Sequence, residues 1–144
     1  MEQNLKEQEE KKLKEGWIKT SMMIEVLAVT EEAARSSLEE HVKQMEREKK
    51  SLIVKKDFKE IRKVDKPLPN LEVGYSNVVA LEVLAADFDT LVFIAMNYAP
   101  TTIEIFSPDR IQMDAGEAQG ILNSVSDLIH KFAQQGLGGV VIRS

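Results

Sequence analysis

Over residues 17–29 apolar and polar positions alternate, and Ile18, Met22, Ile24, Val26 and Ala28 fall on one side. That period of two predicts a strand. The other side carries Lys19, Ser21 and Glu25 but also Trp17, Met23 and Leu27, as in a central strand covered in part on both faces. The period then becomes helical. Ala34, Leu38, Val42 and Met45 make one stripe with His41 on or beside it. Thr30 is a natural N-cap, and Glu31 and Glu32 sit at the positive end of the helix dipole, so a helix is expected from residue 30 to about residue 49.

Residues 51–64 open as a strand through Leu52, Ile53 and Val54 and then become dense in lysine, which reads as an edge strand guarded against unwanted pairing. A helical turn through Phe58, Ile61 and Val64 is the alternative for its second half. Residues 66–70 (KPLPN) predict a rigid loop. A third strand spans 72–86, with Val79, Leu81 and Val83 on one side. Asp87 can cap a helix whose core stripe is Phe88, Leu91, Val92, Ala95 and Ala99. Phe93, Ile94 and Met96 make that helix apolar most of the way round, which predicts burial by more than its own sheet. Pro100 stops it, and 101–107 form a fourth strand. Asp114 and Glu117 open a last helix with the clearest amphipathic stripe in the chain: Ile121, Leu122, Val125, Leu128, Ile129 and Phe132. Gly136 to Gly139 end it, and Val140, Val141 and Ile142 suit a short added strand.

This order is strand, helix, strand, strand, helix, strand, helix: the split βαβ pattern of an α+β, ferredoxin-like βαββαβ domain with an extra C-terminal helix. Right-handed crossovers place the four strands in the order 4-1-3-2 within an antiparallel sheet. Two helices cover one face. The other would carry Met23, Leu27, Val78, Leu84 and Phe106, too much apolar surface to leave wet, so the last helix or a second subunit is expected over it. Residues 1–16 hold only Leu5 and Leu13 among their apolar side chains beyond Met1 and read as a frayed or disordered charged leader, or as a helix lying on a partner subunit. Residues 17–144 read as a single domain.

The segment Pro100-Thr-Thr-Ile-Glu-Ile-Phe-Ser-Pro108, with Asp114-Ala-Gly-Glu-Ala-Gln and the helix to Phe132, resembles small uncharacterised archaeal proteins with a ferredoxin-like fold. The resemblance implies that fold and an archaeal cytoplasm, and no activity. At the level of fold the pattern is also similar to ACT-like regulatory domains and dimeric ferredoxin-like barrels, without the effector-binding motif of either.

Composition narrows the partners. The 144 residues contain no cysteine, which excludes a disulfide framework, a thiolate nucleophile and a Cys-type zinc site, and fits a reducing cytoplasm. No apolar run reaches the length of a membrane span, and the start of the chain has no signal-peptide pattern. The net charge of −5 argues against nucleic acid as the main partner. Between residues 49 and 66, however, eight Lys or Arg stand against three acids. Lys55, Lys56, Lys59, Arg62 and Lys63 are therefore candidates for an anion or nucleic-acid surface, although the aromatic motifs of RNA-binding sheets are absent.

Three strands share one tetrapeptide pattern: Ile24-Glu25-Val26-Leu27, Leu81-Glu82-Val83-Leu84 and Ile103-Glu104-Ile105-Phe106. In the predicted sheet all three glutamates point away from the helices, and neighbouring strands would set them in a row. Such a row needs compensation, from Lys19, Arg110 or Arg143, from a divalent cation, or from a cationic ligand. It equally suits the solvated half of an alternating pattern. No Ser-His-Asp set assembles, since His41 and His130 both read as helix residues, and no cofactor or metal motif is present. The expected function is a non-enzymatic, self-associating ligand- or protein-binding module, a homodimer or larger. The alternatives are a small enzyme or metal-binding protein using Glu25, Glu82 and Glu104, or an electrostatic nucleic-acid binder.

Overall fold

The central ladder of the fold joins β1 (Ile18–Ala28) to β4 (Leu71–Ala85) in antiparallel register from Ile18 opposite Ala85 to Ala28 opposite Tyr75. The structure, a computed structural model, describes residues 2–135. Around that ladder stand α1 (Glu2–Lys14), α2 (Glu31–Glu46), β2 (Ser51–Phe58), β3 (Arg62–Leu68), α3 (Phe88–Tyr98), β5 (Thr102–Ser107) and α4 (Ala115–Gln134). The sheet has five strands in the order β2-β4-β1-β5, and β3 also pairs with β4. Every pairing is antiparallel. This is the split βαβ order predicted from the sequence.

The lysine-rich edge is one strand broken in two. β2 runs beside the C-terminal half of β4, from Ser51 opposite Ala85 to Phe58 opposite Val79, and β3 runs beside its N-terminal half. Both backbone groups of Lys59, at the break, are satisfied. The Lys59 N–H donates to the Val78 carbonyl at 2.8 Å, and the Asn77 side-chain amide donates to the Lys59 carbonyl at 3.0 Å. The predicted loop at 66–70 is shorter than expected, because β3 continues to Leu68 after an irregularity that includes Lys66 at a φ of 46°.

On one face, Ile18, Met22, Ile24, Val79, Leu81 and Val83 meet α2 and α3. The α2 stripe is the predicted one: Ala34, Leu38, Val42 and Met45 are buried, and Thr30 caps the helix by accepting from the Ala33 N–H. The α3 stripe is rotated from the predicted one. Thr90, Leu91, Ile94 and Tyr98 are buried, whereas Ala95 and Ala99 are exposed. An all-round apolar helix has no periodic signal to fix its inward side, and packing chose the longer side chains. His41, between the two helices, donates from Nε2 to the Tyr98 carbonyl at 2.8 Å and stands edge-on to the Tyr98 ring at 5.3 Å. It is a packed boundary residue.

The presumed leader is a helix, α1, which lies across one end of the second sheet face. Glu9 meets Lys19 of β1 at 2.8 Å, Leu5 and Lys6 flank Val54 and Lys55, and Lys12 lies 4.6 Å from the centre of the Trp17 ring. Leu84, which points away from α2 and α3, is fully buried at that end. The chain also divides after Arg110 into two compact units, where one domain was expected over 17–144. In the second unit, Asp114 caps α4 by accepting from the Glu117 N–H at 2.8 Å, and Leu122, Val125, Ile129 and Phe132 are exposed. The strand expected at 140–142 lies outside the described residues.

Ala99 closes α3 in the left-handed region, at a φ of 47°, just before Pro100. An L side chain there is strained by contact with its own backbone, a conformation glycine adopts freely. Ala99→Gly is therefore expected to raise stability by roughly 0.5–1 kcal/mol in a urea titration, part of the relief being offset by the freer unfolded chain.

Candidate functional site

The face of the sheet opposite α2 and α3 is the candidate site, and the ladder registers define it row by row. Leu52, Leu84 and Lys19 form the row that α1 crosses. Next come Lys55, Glu82, Ser21 and Glu104, then Asp57, Ala80, Met23 and Thr102, then Val78 and Glu25, and finally Arg62, Ser76 and Leu27. Beyond the first row the surface is mixed. Met23, Leu27 and Phe106 are 39%, 45% and 49% exposed, and Ile103 and Ile105, on the other side of β5, are exposed to a similar degree. A groove of about 480 Å³ follows this surface, lined by Ser21, Met23, Lys55, Asp57, Glu82 and Phe106 among others. At the far end of this sheet face, beyond the groove, Gly74 leaves no room for a side chain: a Cβ there would come within 2.8 Å of Pro67 and 3.2 Å of Leu27.

The three glutamates share this face as predicted, but they do not form a row. Glu82 and Glu104 flank Ser21, about two strand spacings apart. Glu25 lies four residues further along β1 and accepts a hydrogen bond from the Ser76 hydroxyl. The predicted alignment fails because equivalent tetrapeptides in antiparallel neighbours need not share a register. Glu82 has its own compensation, with Lys19 and Lys55 both at 3.8 Å. Lys19 is in turn held above the usual lysine range, chiefly by its hydrogen bond to Glu9 and also by the charges of Glu9 and Glu82, against the opposing effect of burial. Among the described residues no cluster of three or more His, Asp or Glu side chains has the geometry to hold a metal ion.

The basic segment is likewise dispersed. Lys55 pairs with Glu82, Lys56 with Glu46 at 3.3 Å and Lys59 with Asp57. The hydrogen bond from Lys59, with its charge, keeps the Asp57 carboxyl below the usual range. Arg62 and Lys63 make no ion pair among the described residues, and they occupy successive positions on opposite faces of β3. An edge strand separates consecutive cations in this way, so the five do not converge.

Sequence reasoning had no signal for the polar cluster where α2 and α3 end. The Tyr98 hydroxyl donates to Glu48 Oε1 at 2.6 Å and lies 3.3 Å from the Gln44 carbonyl. Burial, reinforced by the neighbouring Glu48 carboxylate, pushes the Tyr98 phenol up to about 12. Nearby, burial works to raise the Asp87 carboxyl, but hydrogen bonds from the Thr90 hydroxyl and N–H, together with Lys50, hold it below the usual range. A cleft of about 440 Å³ opens beside this cluster between Arg47, Lys49, Lys50 and Phe93. Thr101, beside Pro100, is held by β1: its N–H and hydroxyl both donate to the Met23 carbonyl, at 2.7 and 3.0 Å.

A family model covers residues 19–144. The chain belongs to the MJ0538 family. The matched span begins at the second residue of β1, so it includes all of the sheet but Ile18 and leaves α1 outside. No curated protein and no solved structure matches the chain. Among the described residues no helix is long and apolar enough to cross a membrane.

Two expected outcomes follow from these contacts. Glu82→Gln is expected to lower stability by about 0.5–1 kcal/mol by denaturant titration, because two lysines lose a shared acid, and Glu104→Gln by less. The melting temperature of neither variant should respond to added calcium or magnesium. Raising the Tyr98 pKa above its unfolded value of about 10 makes stability fall as pH rises from about 10 to 12, where the unfolded chain has lost a proton that the native state keeps. Urea midpoints across that range should show a smaller decline for Tyr98→Phe than for the wild type.

Proposed function

We propose that this member of the MJ0538 family is a non-enzymatic binding module that works by self-association, as a homodimer or larger assembly, in an archaeal cytoplasm. The observation that carries the reading is the exposed apolar side chains on both faces of the β1–β5 edge, Met23, Leu27 and Phe106 on the open face and Ile103 and Ile105 on the other. Exposed apolar side chains gathered at one sheet edge favour an interaction site. The groove beside Met23 and Phe106 lies within the usual range of small-ligand pockets, roughly 300–1,000 Å³, so the same surface also offers space for a ligand.

The site supports this reading better than a catalytic one. Its acids are either compensated, as Glu82 is by Lys19 and Lys55, or separated along the strand, as Glu25 is from Glu104. General acid–base chemistry needs groups within reach of one reacting centre. The lysines are largely committed to acids of the same chain, which leaves few to neutralise phosphates.

Native mass spectrometry of the untagged protein tests the proposal. A dimer or larger species is the expected result, and a retained small molecule would mark the groove as occupied. A bare monomer at tens of micromolar that binds no hydrophobic dye would overturn it.

A further inference from the structure

The two edges of the sheet are built differently. The β2–β3 edge is interrupted at residues 59–61 and carries Lys55, Lys56, Lys59, Arg62 and Lys63. Lysine and a broken ladder are the usual protections of an exposed edge. β5, at the other edge, has no such cation, and its ladder with β1 shifts register once, between Ile105 and Ser107. It pairs with β1 on one side and with no strand on the other among the described residues, and its sequence TIEIFS holds no lysine, arginine or proline. Five of its six residues are exposed, including Ile103, Ile105 and Phe106. An unguarded apolar edge with free N–H and carbonyl groups is a template for another strand.

We infer that β5 pairs antiparallel with β5 of a second copy of this chain about a two-fold axis, joining the two sheets into one continuous sheet. The inference rests on the self-association proposed above and names the surface that performs it. Identical strands paired in this way are self-complementary, and the two-fold closes the assembly at a dimer. Pairing also sets the exposed Ile103 and Ile105 side chains of the two copies beside one another, where they shield each other from water.

The register follows from charge and parity. Directly opposed residues must share a face, so the axis passes through a residue rather than between two. An axis at Glu104 would oppose the only two charges on the paired strands, which is destabilising. An axis at Ile103 would pair only residues 102–104 within the strand, whereas an axis at Ile105 pairs residues 103–107, setting Ile105 against Ile105 of the partner subunit and Glu104 against Phe106 of the partner subunit. Phe106 borders the groove on the face that carries Glu104, so the opposed residues share a face.

The absence of cysteine makes a direct test possible. Opposed residues of an antiparallel pair have Cα atoms about 4.5–5.5 Å apart, within the range a disulfide spans. Ile105→Cys should oxidise to a covalent dimer at a protein concentration where Glu104→Cys oxidises much more slowly. Ile105→Lys should weaken the dimer by roughly a hundredfold in sedimentation, about 2.7 kcal/mol, with Ile103→Lys as a second lysine variant on the same edge. Circular dichroism shows whether each variant is folded. A wild-type dimer that persists in both lysine variants, with no disulfide formed by Ile105→Cys, overturns the strand pairing but leaves the self-association intact. Faster cross-linking of Glu104→Cys than of Ile105→Cys overturns the register. A ladder of open-ended oligomers would show β5 pairing with the lysine edge, and it overturns the two-fold. A wild-type monomer overturns both the pairing and the association.

Discussion

The ladder between β1 and β4 is the constraint on which the rest of the sheet depends. Eleven consecutive pairs, from Ile18–Ala85 to Ala28–Tyr75, put every apolar residue of the inner set on the side of α2 and α3. A slip of one residue would send either Met22 and Ile24 or Leu81 and Val83 to the opposite face and bring Glu25 or Glu82 inward. Burying either carboxylate without its present partners would be strongly unfavourable. The register is therefore enforced from both faces, by apolar burial on one and by charge on the other. β2, β3 and β5 take their positions from it.

The second face is divided by the same register. At one end the Lys19 and Lys55 ammonium groups flank Glu82, and α1 crosses above them through Glu9 and over Leu84. Each contact is modest, since exposed ion pairs contribute little individually. Together with the apolar contact of Leu5 and the covered leucine beneath, they give a highly charged helix a place to rest. Further along, no element of the first unit covers Met23, Leu27 or Phe106. Polar and apolar side chains alternate there without converging on a centre, which suits contact with another surface better than chemistry.

Local signals marked most elements of this chain, the second half of the lysine-rich edge and the first helix excepted. Thr30, Asp87 and Asp114 all act as the N-caps that their positions suggested, because a short polar side chain before an apolar run meets free N–H groups whatever the tertiary setting. The period-two runs around Ile24 and Leu81, and the helical stripe of Ala34, Leu38, Val42 and Met45, identified the inner face and its cover. The edge character of 51–64 was legible from its lysines. Of the candidate site, the shared face of Glu25, Glu82 and Glu104 was legible too, since side-chain alternation is a property of each strand alone.

The amino-acid sequence by itself thus determined the type and order of the elements from β1 to α4, with β2 and β3 read as one edge strand, together with the caps, the strand order and the face each strand residue takes. Only the tertiary structure decided the offsets between neighbouring strands, the side on which α3 packs, and the resting place of α1. The physical reason is one of range. Periodicity and capping act within a few residues and leave a trace in composition. Register is set by pairings between residues far apart in the chain, so the repeated glutamate motif said nothing about alignment and Glu25 came to lie beside Ser76. The first helix has too few apolar residues to predict its own burial. It is helical against a sheet end whose lysines and leucines come from β1, β2 and β4, and no local pattern in residues 1–16 describes that surface.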